Sequence, residues 1–183
     1  MRQPEIPGRD RGMEVTGGSC RLGLWFVHVW WSGSTVHRVR FSTTGIAGDV
    51  PEPFRKFCAG HPVDLTQFAT VAIVMDTPYS RIYRAVKNVP YGSTSTYGEI
   101  ARLVGTSPRV VGQAMANNPT PLVIPCHRIV AASGIGGFSP DVGIKELLLA
   151  MEKKTLQKLL VAKKSSSYPV SGIPPEYHKS RER

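Results

Sequence analysis

Residues 96–116 constrain this chain more than any other stretch. Thr96-Tyr97-Gly98-Glu99 has the form of a capping box, a hydroxyl N-cap with a Glu three positions on. Ile100, Leu103 and Val104 follow as one apolar face, and Gly105 supplies a stop. Ser107-Pro108 opens a second helix in which Val110, Val111, Ala114 and Met115 are apolar. Two short helices joined by Gly-Thr-Ser-Pro predict a helix-turn-helix. Such a pair is most often a packing unit and in some proteins a DNA-binding one.

The remaining pattern predicts an α+β chain with a small N-terminal sheet-plus-helix unit and a mostly helical second part. Residues 1–18, rich in Gly, Pro and charge, read as a flexible arm. Leu22–Val29 and Val36–Phe41 read as two strands of a hairpin turning at Ser32-Gly33-Ser34. Pro53–Ala59 reads as a short helix and Phe68–Met75 as another strand. Asp76-Thr77-Pro78 marks a boundary, so the N-terminal unit spans 19–76. Thr77 is the expected cap of a helix over Tyr79–Asn88 whose face is Ile82, Val86 and Val89. The last helix runs from about Val142 to Lys154 on a stripe of Ile144, Leu147, Leu148 and Met151. The second unit therefore spans 77–155, and 156–183 reads as a basic, disordered tail.

Charge bears on the partner. The chain of 183 residues carries a net +10, and residues 153–183 hold six Lys and two Arg against two Glu. Lys and Arg gain by displacing counterions from phosphates, so a polyanionic partner fits, as does a merely solvated tail. Three widely spaced cysteines, Cys20, Cys58 and Cys126, form no disulfide framework, which suits a reducing, intracellular setting. The N-terminus lacks the apolar run of a signal peptide, and the apolar stretch at Val71–Met75 is too short to span a bilayer.

Pro125-Cys126-His127-Arg128 is the candidate for chemistry. A buried Cys is usually a small hydrophobe. Here an adjacent His and an Arg two residues on favour the thiolate, the nucleophilic form. Neighbouring side chains on extended backbone point to opposite sides, so a bridging water is the expected proton path between His127 and the sulfur. Glu152 lies on the edge of the buried stripe and needs a partner, which His127 can be.

The segments V-P-Y-G-S-T-S-T-Y-G-E-I-A (89–101), R-V-V-G-Q-A-M-A-N-N-P (109–119), I-P-C-H-R-I-V (124–130), S-G-I-G-G-F-S (133–139) and K-E-L-L-L-A-M-E (145–152) together resemble the O6-alkylguanine-DNA alkyltransferase family, the methylated-DNA–protein-cysteine methyltransferases. The resemblance runs from about Thr77 to Glu152. It implies a winged-helix-like DNA-binding domain carrying an active cysteine, and single-turnover transfer of an alkyl group from the O6 of guanine. By the same resemblance Cys126 is the acceptor, His127 and Glu152 its activating relay, Tyr97 the proton donor to the departing guanine and Asn118 a hinge. Arg109, Gly112, Ala116, Arg128 and Thr96 fall at the DNA. Met115, Val130, Ser133, Phe138 and Ser139 fall at the pocket for the flipped base. The implied partner is double-stranded DNA containing O6-alkylguanine. The implied protein is a monomer without cofactor, cytoplasmic, or nuclear in a eukaryote.

Two departures stand out. The family's two glycines after Phe138-Ser139 are replaced by Pro140-Asp141, which predicts a stiffer pocket lid that handles bulky adducts poorly. Val110 and Gln113 are bulkier than the small residues common in that helix. Some relatives bind zinc in the N-terminal unit, but the spacing of Cys20, His28, Cys58 and His61 matches no zinc pattern, so no metal is expected. A lesion-binding module without transfer is the alternative, against which Cys126 itself argues. A Cys126–His127 thiol hydrolase lacks an oxyanion motif and leaves the helix pair unexplained. A transcription regulator would call for a further regulatory domain that is not recognisable here.

Overall fold

A computed structural model describes residues 14–166 as an α+β protein, an N-terminal sheet followed by helices. The sheet has the order β1 (Thr16–Leu22), β2 (Trp25–Ser32), β3 (Thr35–Ser42) and β4 (Ala69–Thr70). β1–β2 and β2–β3 are antiparallel, while β4 joins β3 in parallel through Thr35–Ala69 and Val36–Thr70. The β2–β3 hairpin turns at Gly33, whose φ of 53° suits glycine. Alternation puts Val27, Val29, Val36 and Val39 on the core face. Helix α1 (Glu52–Cys58) covers that face with Phe54 and Phe57.

The sheet differs from expectation at its start. One strand was expected over Leu22–Val29, but Gly23 at φ 58° breaks that run into β1 and β2. β1 begins at Thr16, inside the expected flexible arm, of which residues 1–13 lie outside the described residues. Gly17 and Gly18 hid this strand, because glycine is a poor strand former. Their use is close packing. A Cβ on Gly17 would meet the Trp30 ring, and one on Gly18 would overlap the carbonyls of Gly48 and Asp49.

The apolar run at Val71–Met75 is also not a strand. The Thr70 hydroxyl accepts from Ala72 N and turns the chain into α2 (Val71–Val74), which leaves Val74 and Met75 exposed. Thr77 does not cap the next helix. Its hydroxyl donates to the Ala72 carbonyl, and α3 (Ser80–Lys87) starts after Tyr79. Ile82, Val86 and Val89 are buried as the spacing required.

The helix pair forms as read. In α4 (Tyr97–Val104) both halves of the capping box are made, and Gly105 ends the helix at φ 70°. Leu103 faces solvent, while Ile100 and Ala101 are buried. In α5 (Pro108–Ala116) Ser107 is the N-cap. Tyr83 Oη donates to the Ala114 carbonyl at 3.0 Å and ties α3 to α5. Helix α6 runs from Val142 past the expected end to Ser166, into the region read as tail; residues 167–183 lie outside the described residues. Ile144 and Leu148 are buried, but Leu147 is exposed.

Two apolar cores result. One joins the sheet and α1 to Leu122, Val123, Ile144 and Leu148. The other joins α2–α5 to Ile124 and Ile129. The segment from Leu122 to Ile129 therefore runs between them, buried throughout. It is tied to the sheet by Val39 N donating to the Pro119 carbonyl at 2.9 Å and by the Thr70–Thr120 hydroxyl pair at 2.7 Å.

Gly18→Ala should lower stability by about 2 kcal/mol, since its methyl meets backbone that cannot rotate away. A urea midpoint unchanged from wild type would show that the residue 48–49 segment yields freely.

Candidate active site

Pro125 leads into one 3-10 turn, Cys126–Arg128, with Arg128 N donating to the Pro125 carbonyl at 2.9 Å. The backbone here is helical rather than extended, so successive side chains diverge by roughly a third of a turn instead of alternating. The turn is followed by β6 (Ile129–Val130), which pairs in parallel with β5 (Ser95–Thr96). Cys126, His127 and Arg128 are all buried.

Glu152 anchors the turn from α6. Its carboxylate is fully buried and accepts from His127 Nε2 at 2.9 Å, Arg128 Nη2 at 3.0 Å, Arg128 Nε at 3.1 Å and Gly92 N at 2.7 Å. Burial pushes its pKa up, but the hydrogen bonds and charges of His127 and Arg128 outweigh this and bring it down to about 2. Arg128 was expected at the DNA. Instead it is buried, and besides Glu152 it holds the Val89 carbonyl at 2.9 Å and Asp64 at 3.5 Å and stacks over Tyr91. A guanidinium so engaged has no reach to a phosphate.

An ionised Glu152 accepts only, so His127 Nε2 must carry its proton and Nδ1 is left with a lone pair. Nδ1 is buried and makes no hydrogen bond in the structure. Burial lowers the His127 pKa against the pull of Glu152, with Arg128 and Lys145 adding to the lowering, which favours a neutral ring. The ring thus presents an unbonded lone pair at Nδ1.

Cys126 is not a preformed thiolate. Burial raises its pKa to about 11, against lowering by the Asn118 hydrogen bond, the Lys145 charge and backbone N–H groups. The expectation that Arg128 would favour the thiolate fails because Arg128 is spent on Glu152. Asn118 holds the approach to the turn: Nδ2 donates to the Ile124 carbonyl at 2.9 Å and Oδ1 accepts from Thr120 N at 3.0 Å.

Cys126 opens onto a cleft walled by Tyr97, Gly112, Met115, Ala116, Asn118, Pro121, Gly137, Phe138 and Ser139. Of the expected pocket residues, Met115, Phe138 and Ser139 are in its wall. Val130 and Ser133 are not; Val130 is taken up pairing with Thr96, and Ser133 is exposed. Tyr97 is half-buried, its pKa raised by burial and by Cys126. Arg109 is exposed in the first turn of α5, and Gly112 and Ala116 of the same helix line the cleft. The Thr96 hydroxyl is engaged by Glu99 N at 3.1 Å.

Lys145 escaped the sequence reading. It is fully buried, donates to the carbonyls of Ile129 and Gly137 and lies 5.8 Å from the Tyr97 ring centre. The signal was present, since Lys145, Leu148 and Glu152 share one helix face. Around Pro140-Asp141, Phe138 packs on Phe41 at 5.8 Å, and Asp141 accepts from Gly143 N at 2.6 Å. Among the described residues no group of three or more His, Cys, Asp or Glu could hold a metal, and no helix is long and apolar enough to cross a membrane.

Residues 77–154 match the family model of the 6-O-methylguanine DNA methyltransferase DNA-binding domain. The methylated-DNA–protein-cysteine methyltransferase of Sulfolobus acidocaldarius is 38% identical over 112 residues, covering 61% of this chain and 71% of that protein. That of Metallosphaera sedula is 46% identical over 89 residues, 48% of this chain and 57% of that protein. Among solved structures, the O6-methylguanine-DNA methyltransferase of the hyperthermophilic archaeon Pyrococcus kodakaraensis aligns with a TM-score of 0.59 at 27% identity, over 76% of this chain and 99% of that one. Mycobacterium tuberculosis OGT in complex with DNA aligns at 0.60 and 27%, over 75% and 92%. The chain belongs to the methylated-DNA–protein-cysteine methyltransferase family.

Glu152→Gln removes the fully buried counter-charge of Arg128, and about 3 kcal/mol of stability at pH 7 should go with it. The Glu152 pKa is depressed on folding, so its contribution is complete above about pH 5 and lost as pH falls toward 2. Urea unfolding of the two proteins should therefore converge in acid. A gap that stays constant down to pH 2 would contradict an ionised Glu152.

Proposed function

We propose that this protein repairs alkylated DNA by moving an alkyl group from the O6 of guanine onto Cys126 Sγ, once per molecule. The observation that carries the reading is a buried thiol at the foot of an open cleft, in one turn with a histidine whose free nitrogen and fixed tautomer make it a base. Family membership supplies the substrate class.

The O6 of a paired guanine is buried in the base stack, so the nucleotide has to leave the helix before Cys126 can reach it. The two-helix unit and the β5–β6 pair are read as the winged-helix-like DNA-binding part, within a second domain of residues 77–155 that follows an N-terminal domain of 19–76. Arg109, at the exposed start of α5, fills the place of the extruded nucleotide, its planar guanidinium able both to stack and to hydrogen-bond. Gly112 and Ala116 let the α5 backbone come close to the sugar-phosphate chain. The flipped base enters the cleft between Met115 and the Gly137–Ser139 wall.

Because the resting thiol holds its proton to about pH 11, activation belongs to the complex. His127 Nδ1 takes the thiol proton through a bridging water, and Glu152 steadies the imidazolium that forms. The thiolate attacks the alkyl carbon, the S–C bond forms as the C–O6 bond breaks, and Tyr97 donates a proton to the departing guanine. The product is a thioether, which no group in the cleft can cleave. The damaged DNA is itself the alkyl donor, so the reaction uses no cofactor. A lesion-binding role without transfer would leave the Glu152–His127–Cys126 arrangement without a task.

Incubation with an oligonucleotide duplex carrying one O6-methylguanine should place one methyl on the Cys126 peptide, saturating at one per protein. Tyr97→Phe should slow this single turnover on the order of a hundredfold while DNA binding persists. An unmodified Cys126 despite tight lesion binding would overturn the reading. The Pro140-Asp141 lid gives a second expectation: replacing both by glycine should speed transfer of benzyl relative to methyl. Equal benzyl-to-methyl ratios in the two proteins would show that the lid does not set adduct size.

A further inference from the structure

Two thiols far from the described chemistry in sequence meet where β1 joins α1. Cys20 Sγ lies 3.4 Å from Cys58 Sγ, across 38 positions of chain. Cys58 is the last residue of α1 and is buried in the core of the N-terminal sheet, while Cys20 on β1 packs against that core and is only half-buried. The two sulfurs already touch, and a disulfide, with S–S of about 2.05 Å, needs them only to close a short gap. The pair is not part of a metal site, since no cluster of three or more metal-binding side chains exists among the described residues.

We propose that Cys20 and Cys58 are a dithiol site that reacts with small-molecule disulfides of the glutathione type and closes into a disulfide joining β1 to α1. The Cys20 thiolate attacks one sulfur of glutathione disulfide, forming a mixed disulfide and releasing one glutathione thiolate. Cys58 then gives its proton to solvent, and its sulfur attacks Cys20 Sγ and expels the second glutathione. The protein dithiol loses two electrons and two protons, and glutathione disulfide is reduced to two glutathiones.

The order of attack follows from the surroundings. Cys20 is the more exposed thiol, and the hydrogen bond to Cys58 holds its pKa below the ordinary value, against burial and with help from the Arg55 charge. The pKa of Cys58 is raised by that same hydrogen bond and by burial, so it resolves rather than initiates. Cys126 competes poorly for the first attack, being buried with its pKa raised to about 11. The site is independent of alkyl transfer and stands or falls separately from it.

The test uses the full chain in glutathione redox buffers, read by intact mass and by non-reducing peptide mapping. Wild type and Cys126→Ser should both lose two hydrogens and yield one cross-linked peptide containing Cys20 and Cys58. Cys58→Ser should stop at the mixed disulfide, with one glutathione on Cys20, and Cys20→Ser should take up none. Closing this loop restrains the unfolded chain, so the oxidised protein should melt higher by roughly 10 °C. Three results would overturn the proposal: both thiols staying reduced in excess glutathione disulfide, a first adduct on Cys126, or a cross-link that includes Cys126.

Discussion

Glu152 is the charge on which the rest of the site depends. A carboxylate with no exposed surface is tolerable only if its lone pairs are filled, and here they are filled by three residues from two places: the Gly92 backbone after α3, and His127 and Arg128 in the 3-10 turn. The same bonds that remove the desolvation cost fix α6 against that turn. Gly92 has φ 73°, and a Cβ there would strike the Leu156 side chain, so this corner requires glycine to bring its N–H to the carboxylate. With Glu152 ionised, the histidine tautomer is no longer free, and the histidine tautomer decides whether Cys126 has a base beside it.

Packing holds the other side of the turn. Leu122 and Val123 belong to the sheet core, and Ile124 and Ile129 to the helical core. Leu122 has φ 75°, an unusual conformation for a leucine, and its complete burial in the first core keeps it there. Asn118 spans the bend with its amide, bonding forward to Ile124 and Thr120. A thiol suspended between two cores cannot drift from the cleft. It also loses water, which is why its pKa rises to about 11 and why the resting group is a thiol.

Local signals were legible in the sequence where they are strong and short-ranged. The Thr96–Glu99 box, Gly105, Ser107-Pro108 and the Ile82–Val86–Val89 stripe all formed as read, because caps and helical periodicity act within a few residues. The misreadings have a common cause in tertiary context. Gly17 and Gly18 look like linker and are in fact strand, chosen for close approach to Trp30 and residues 48–49. Val71–Val74 looks like strand and is a helical turn, because one hydroxyl at Thr70 redirects the backbone. Arg128, which the resemblance places at the DNA, is buried, since only the fold brings Glu152 to it. Lys145 went unread because a lysine on a buried face is not expected, although it carries the same spacing as Glu152. The Cys20–Cys58 contact joins residues 38 positions apart, which no local pattern reports.

Everything in this site turns on a neutral His127 next to Cys126, with Nε2–H donating to Glu152 and Nδ1 free to accept. Nitrogen-15 NMR of the resting protein with labelled histidine measures both properties at once. A neutral His127 ring protonated on Nε2 is expected at pH 7. An imidazolium at that pH, or a proton on Nδ1, would contradict it.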